Sequence, residues 1–151
     1  MRTLKFIRIG FLCLFPLVIS FHVFAQEEAI QKRRLLMETN NDAVVKAVKK
    51  AVSEKNFAEI QVKVKFIMEN MDMMLDQFPP GSLSEKSRAK PEIWERWDEF
   101  SKLPATVNKA ARELGAAAKA GDEEAVKVKF KALGEACAEC HKSFRAPKKA
   151  Q

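Results

Sequence analysis

Histidine and cysteine are scarce in this chain: two of the first and three of the second in 151 residues, with no tyrosine at all. A structural zinc site wants four Cys or His ligands, and no such set is on offer outside one cramped stretch near the C-terminus. No Ser/His/Asp arrangement and no pair of acids at a spacing that would justify general acid–base chemistry stands out, so the chain does not read as an enzyme. Strand-like alternation is never sustained, which argues against a sheet. Internal repeats and low-complexity tracts are missing too, apart from a polar tail, Ala146 to Gln151.

Charge is plentiful but unconcentrated. The formal net charge of +7 comes with acids mixed evenly among the bases, which excludes the basic stripe with interleaved aromatics that nucleic-acid binding requires. Part of that charge also belongs to the first 25 residues. Arg2, Lys5 and Arg8 precede the apolar run IGFLCLFPLVISF, and Val23-Phe24-Ala25 places small residues where a signal peptidase reads them. The run is too short to span a bilayer comfortably. The expectation is a cleaved leader over residues 1–25 and export to the bacterial periplasm, with a retained membrane anchor as the rival reading. The mature domain, 26–151, would then carry 24 basic against 20 acidic residues, a net +4, one His and two Cys. Such a charge suits solubility and a mild preference for partner proteins with acidic docking surfaces.

Four segments repeat a 3.6-residue pattern. The first spans about 27–51, with Ile30, Met37, Asn41, Val44, Val48 and Ala51 near one face. Asn56 followed by Glu59 reads as a capping box opening the second, which carries Phe57, Ile60, Val64, Ile67, Met71, Met74 and Phe78 inward and stops at Pro79-Pro80-Gly81. Pro91 suits the first turn of a third segment, with Ile93, Trp94, Trp97, Phe100, Val107, Ala111, Leu114 and Ala118 as core candidates and a break near Ser101 set by Pro104. Gly121 and Asp122 mark a helix end and the next N-cap. The last segment turns Val126, Phe130, Leu133, Cys137, Cys140, His141 and Phe144 to one broad face. Four helices on short connections predict an all-α, antiparallel four-helix bundle.

Cys137-Ala138-Glu139-Cys140-His141 is C-x-x-C-H, the attachment signature of a c-type haem. On a helix the two thiols stand one turn apart and can bond to one edge of a porphyrin, while the adjacent imidazole can turn beneath the ring and ligate the iron. A thioredoxin-like redox pair would want a βαβ context instead.

The stretch PEIWERWDEF, the FPPGS turn and the terminal C-x-x-C-H-x-x-F-R together resemble the cytochrome c′ superfamily, the class II c-type cytochromes, over essentially residues 27–147. Glu135-Ala136 departs from the basic residue often found just before the motif. The resemblance implies a four-helix bundle with one covalent haem c near the C-terminus, and dimers through the first two helices. His141 is then the proximal ligand, and RRLLM matches the place where a basic residue precedes the distal residue by four, giving Arg33 near the propionates and Met37 facing the iron. Arg34 competes with Arg33 for that role, and Arg145 stands one turn beyond His141 as a second propionate partner. The other mature Met residues, Met68, Met71, Met73 and Met74, read as core. With no second His in the mature chain, the expectation is a periplasmic one-electron carrier with a His141/Met37-ligated haem. The alternative is a five-coordinate or Met-displaceable cytochrome c′ that binds nitric oxide or carbon monoxide.

Overall fold

The computed structural model describes residues 16–148; the start of the expected leader, 1–15, and the tail from 149 lie outside the described residues. The chain is built from helix α1 (Pro16–Asn41), a π-helical stretch (Asp42–Val48), α2 (Lys49–Ser53), α3 (Phe57–Asp72), a 3₁₀ turn (Leu75–Gln77), α4 (Glu92–Glu95), α5 (Trp97–Phe100), α6 (Leu103–Ala120) and α7 (Glu123–Phe144). The long helices, α1 with its π and α2 continuation, α3, α6 and α7, form the four-helix bundle the sequence predicts. α3 packs on α6, α6 on α7, the π stretch on α3, and α2 reaches α7. No described helix is long and apolar enough to cross a membrane.

Capping chemistry sets the ends where the sequence placed it. The Asn56 carboxamide oxygen accepts from Glu59 N (3.1 Å), and Asp122 accepts from Ala125 N (3.0 Å), each satisfying an orphan N–H of a first turn. Gly121 closes α6 with φ +71°, the left-handed conformation that a side chain would strain. The core is continuous from Val48 and Ala51 through Ile60, Ile67, Ala111 and Leu114 to Val126 and Leu133, all nearly inaccessible to solvent. Where α3 meets α6, a Cβ built on Gly115 would lie 3.0 Å from Val64 Cγ2, so this glycine lets the helices approach closely.

Three expectations need correction. The first segment is interrupted by a π stretch rather than running as one α-helix, so backbone bonds there reach one residue further. Lys49 N donates to both Val44 and Lys46 carbonyls. The third segment is three helices: besides the turn before Pro104, a break falls at Arg96, whose φ −121° and ψ 43° leave the helical region. Trp97, read as core, is exposed (37 %) beside that break, whereas Trp94 is half-buried and its Nε1 donates to the Phe78 and Pro79 carbonyls.

The loop between α3 and α4 is tied down at both ends. Arg33, only 3 % exposed, reaches it from α1. Its Nη1 donates to the Gln77 carbonyl (3.2 Å) and Ser82 Oγ (2.7 Å). Its Nη2 donates to the Ser82 carbonyl and to Ser87 Oγ, and its guanidinium covers the Phe78 ring at 4.8 Å. Further on, the loop pairs with the end of α7. Lys90 N donates to the Phe144 carbonyl and Ala146 N to the Arg88 carbonyl, around an antiparallel bridge of Ala89 with Arg145.

Candidate haem site

Cys137 and Cys140 lie on the inward side of α7, half-buried and packed against the core cluster. With His141 they line a cavity of about 590 Å³, within the ~300–1,000 Å³ typical of small-molecule and cofactor sites. α1 and the π stretch contribute Met37, Asn40, Asn41 and Val44. Ile67 and Met71 come from α3, Met74 from the turn that follows it, and Leu103, Pro104 and Val107 from α6. Phe100 lies on the same wall, and the ring cluster around it, Phe78 at 4.8 Å and Phe144 at 5.3 Å, braces it.

The electrostatics keep both thiols protonated and suit ligation at the imidazole. Burial pushes the Cys137 thiol up, and burial with the neighbouring Cys137 pushes the Cys140 thiol up to about 11. Burial first, then the Arg145 and Arg88 charges, holds the His141 imidazole down at about 4. His141 is therefore neutral near pH 7, the form that offers a ring nitrogen to a metal.

A macrocycle fits these residues. The cavity wall is mostly apolar, its two thiols and imidazole come from consecutive turns of one helix, and cations stand at its edge. Gly134, one turn before Cys137, lines the cavity, and a Cβ built there meets nothing within 4 Å. A mid-helix glycine costs about 1 kcal/mol relative to alanine. Packing within the chain gives no reason for it, whereas a bulky cofactor held on this face would.

The sequence-predicted residues divide. Cys137, Cys140, His141, Met37 and Arg145 come together on the cavity; Arg33 does not, being bound to the Gln77–Ser87 loop. Arg34 is exposed on α1. The cavity also gathers Arg88 and Asn40, which sequence reasoning missed. Arg88 carries no local signal, because it is the loop's pairing with the end of α7 that brings it there. Asn40 could have been found one turn after Met37 on the same helical face.

The family model for cytochrome C′ matches residues 28–145. A cytochrome c′ of Rhodospirillum rubrum is 37% identical over 83 residues, 54% of this chain and 56% of that protein, so the match spans about half of that relative. A cytochrome c-556 of Agrobacterium tumefaciens is 30% identical over 125 residues, covering 79% of this chain and 98% of that one. Among solved structures, a nitric oxide complex of a variant cytochrome c′ from Alcaligenes xylosoxidans superposes with a TM-score of 0.72 at 24% identity, over 82% of this chain and 97% of that one.

These comparisons overturn the expected one-electron carrier with His141/Met37 ligation, because the solved structures this chain superposes on include nitric oxide complexes of a cytochrome c′. The physical reason lies in what register can specify. A heptad position puts the Met37 side chain on the cavity wall, but a lining residue needs nothing more, and register does not fix its sulfur to an iron. The family is one of electron-carrying and gas-binding haem proteins rather than enzymes. Motif position, bundle and a match over most of the chain agree, and the chain belongs to the cytochrome c′ family.

Proposed function

We propose that this protein is an exported haem protein that binds a diatomic gas, nitric oxide or carbon monoxide. The observation that carries the reading is one cavity joining the C-x-x-C-H face of α7 to a largely apolar wall from α1, α3 and α6. Cys137 and Cys140 would hold one haem c by thioethers, and His141 would offer its neutral imidazole from the α7 side. When bound, the haem supplies the iron on which the gas lodges. Arg145 and Arg88, both on the cavity edge, are placed to meet the propionates. Met37 and Val44 would exclude water from the α1 side and set the space left to a small ligand.

The leader reading is kept in this proposal: cleavage after Ala25 would leave a periplasmic protein beginning at Gln26. α1 runs through that position, so processing shortens the helix without removing a bundle contact from Ile30 onward. The apolar side chains that α1 and α3 leave exposed, Leu35, Val62 and Phe66, mark the faces along which a homodimer would pair.

The test is the absorption spectrum of the reduced, haem-loaded protein before and after carbon monoxide. A high-spin ferrous spectrum that shifts fully on addition of the gas is expected. A low-spin spectrum untouched by saturating carbon monoxide would sink the proposal.

A further inference from the structure

The buried polar group of the cavity is Asn40. It is 7 % exposed, and among the lining residues it is the only polar side chain that is buried. Its Oδ1 accepts from Asn70 Nδ2 at 2.7 Å, but its own Nδ2 has no hydrogen-bond partner. The orientation of this pair follows from the groups behind it. Thr39 Oγ1 donates its proton to backbone carbonyls of its own helix, Leu35 (3.0 Å) and Leu36 (3.1 Å). It is therefore left to accept from Asn70 Nδ2 (3.4 Å). Asn70 must present its amine on this side, Asn40 must answer with its oxygen, and the Asn40 N–H₂ is the group left over.

A buried donor without an acceptor costs free energy that a native fold rarely bears without a reason. The other described buried orphan, Asn108 Oδ1, is an acceptor on a residue outside the cavity wall, whose Nδ2 donates to Asp72. Asn40, in contrast, shares a helical face with Met37 and Val44, three residues after the one and four before the other. All three line the cavity whose α7 wall carries His141. A diatomic ligand held on an iron carries partial negative charge on its outer atom. A fixed N–H in an otherwise apolar wall is worth most to such a ligand, because no water competes for it.

We propose that Asn40, held by Asn70, is a specificity-determining residue that donates a hydrogen bond from Nδ2 to the gas bound in this cavity. The proposal rests on the gas-binding reading above. It adds that the pocket is tuned by one oriented carboxamide, favouring the diatomics that draw most charge onto their outer atom.

The probe is carbon monoxide on the reduced haem-loaded protein, with the C–O stretching band and the release rate as readouts. In the unmodified protein the band should move slightly on exchange into heavy water, as a hydrogen-bonded ligand's does. Asn40→Leu should shift the band to higher wavenumber, abolish the isotope effect and release the gas about two- to tenfold faster, the worth of one neutral hydrogen bond. Asn70→Ala keeps the donor but frees it to turn, and should split or broaden the band. Glu38→Gln, at an exposed position of the same helix outside the cavity wall, should change neither readout. A band indifferent to heavy water in the unmodified protein overturns the proposal without any variant having to fold, as does a band and rate unchanged by Asn40→Leu. Failure of the unmodified protein to form any carbon monoxide adduct would instead overturn the gas-binding reading on which this one stands.

Discussion

An arginine with almost no exposed surface must replace its lost water with protein partners. Arg33 does so with four hydrogen bonds, all to the segment between Gln77 and Ser87, and with the Phe78 face beneath it. Burial holds its pKa down to about 10. It therefore stays protonated in folded and unfolded chains alike through neutral pH, and stability from this latch does not vary there. Only as pH rises past about 10 does the unfolded chain hold more protons than the folded one, so above that point the Arg33 ionisation favours the fold. Arg33→Met should lower unfolding free energy by about 2–4 kcal/mol, because buried oxygens lose a charged donor. Arg33→Lys should recover little, since a point charge cannot replace a fork that reaches two serines at once. Denaturant titration of the haem-loaded protein measures this. A variant of undiminished stability with a disturbed haem spectrum would return Arg33 to the propionates.

At the scale of the element, two interior glycines of long helices do opposite things. Gly115 in α6 makes room for Val64 of α3, whereas Gly134 in α7 faces open cavity. Gly134→Ala should therefore raise the helicity of the haem-free chain, by up to about 1 kcal/mol of helix propensity, while lowering the yield of haem-loaded protein. Circular dichroism of the first and the haem-to-protein absorbance ratio of the second check both halves; equal haem loading would mean that no cofactor lies against Gly134. Much of the element structure was legible in the sequence because it rests on local chemistry. Asn56, Gly121 and Asp122 act on atoms three or four residues away, and Cys137, Cys140 and His141 sit within a turn of one helix. The π stretch after Asn41, the break at Arg96 and the arrival of Arg88 at the cavity were not legible. Each depends on what another helix or loop presses against it, and no residue type announces that. Arg33 shows the same limit from the other side: the resemblance put it near the propionates, whereas its partners in the fold come from a loop 44 to 54 residues away.

The whole molecule is organised around the pocket between its four long helices. The pocket between α1, α3, α6 and α7 opens to solvent at one edge, and its mostly apolar wall, left wet, forgoes the burial that a cofactor would give it. Domains of this size are stable by only about 5–15 kcal/mol in total. Wall residues relaxing inward would recover part of that burial, but only by giving up the packing that defines the site. A haem held there would complete the core, and the chain without it should keep its helices and lose their fixed arrangement. A Cys137→Ala/Cys140→Ala chain isolated without haem should retain most of the far-ultraviolet helical signal, lose near-ultraviolet structure around Trp94 and Phe100, and bind a hydrophobic dye. It should melt over a broad range where the haem-loaded protein melts sharply. Calorimetry decides between the outcomes, since a single sharp transition in the haem-free chain within a few degrees of the loaded one would mean that the bundle closes its own core.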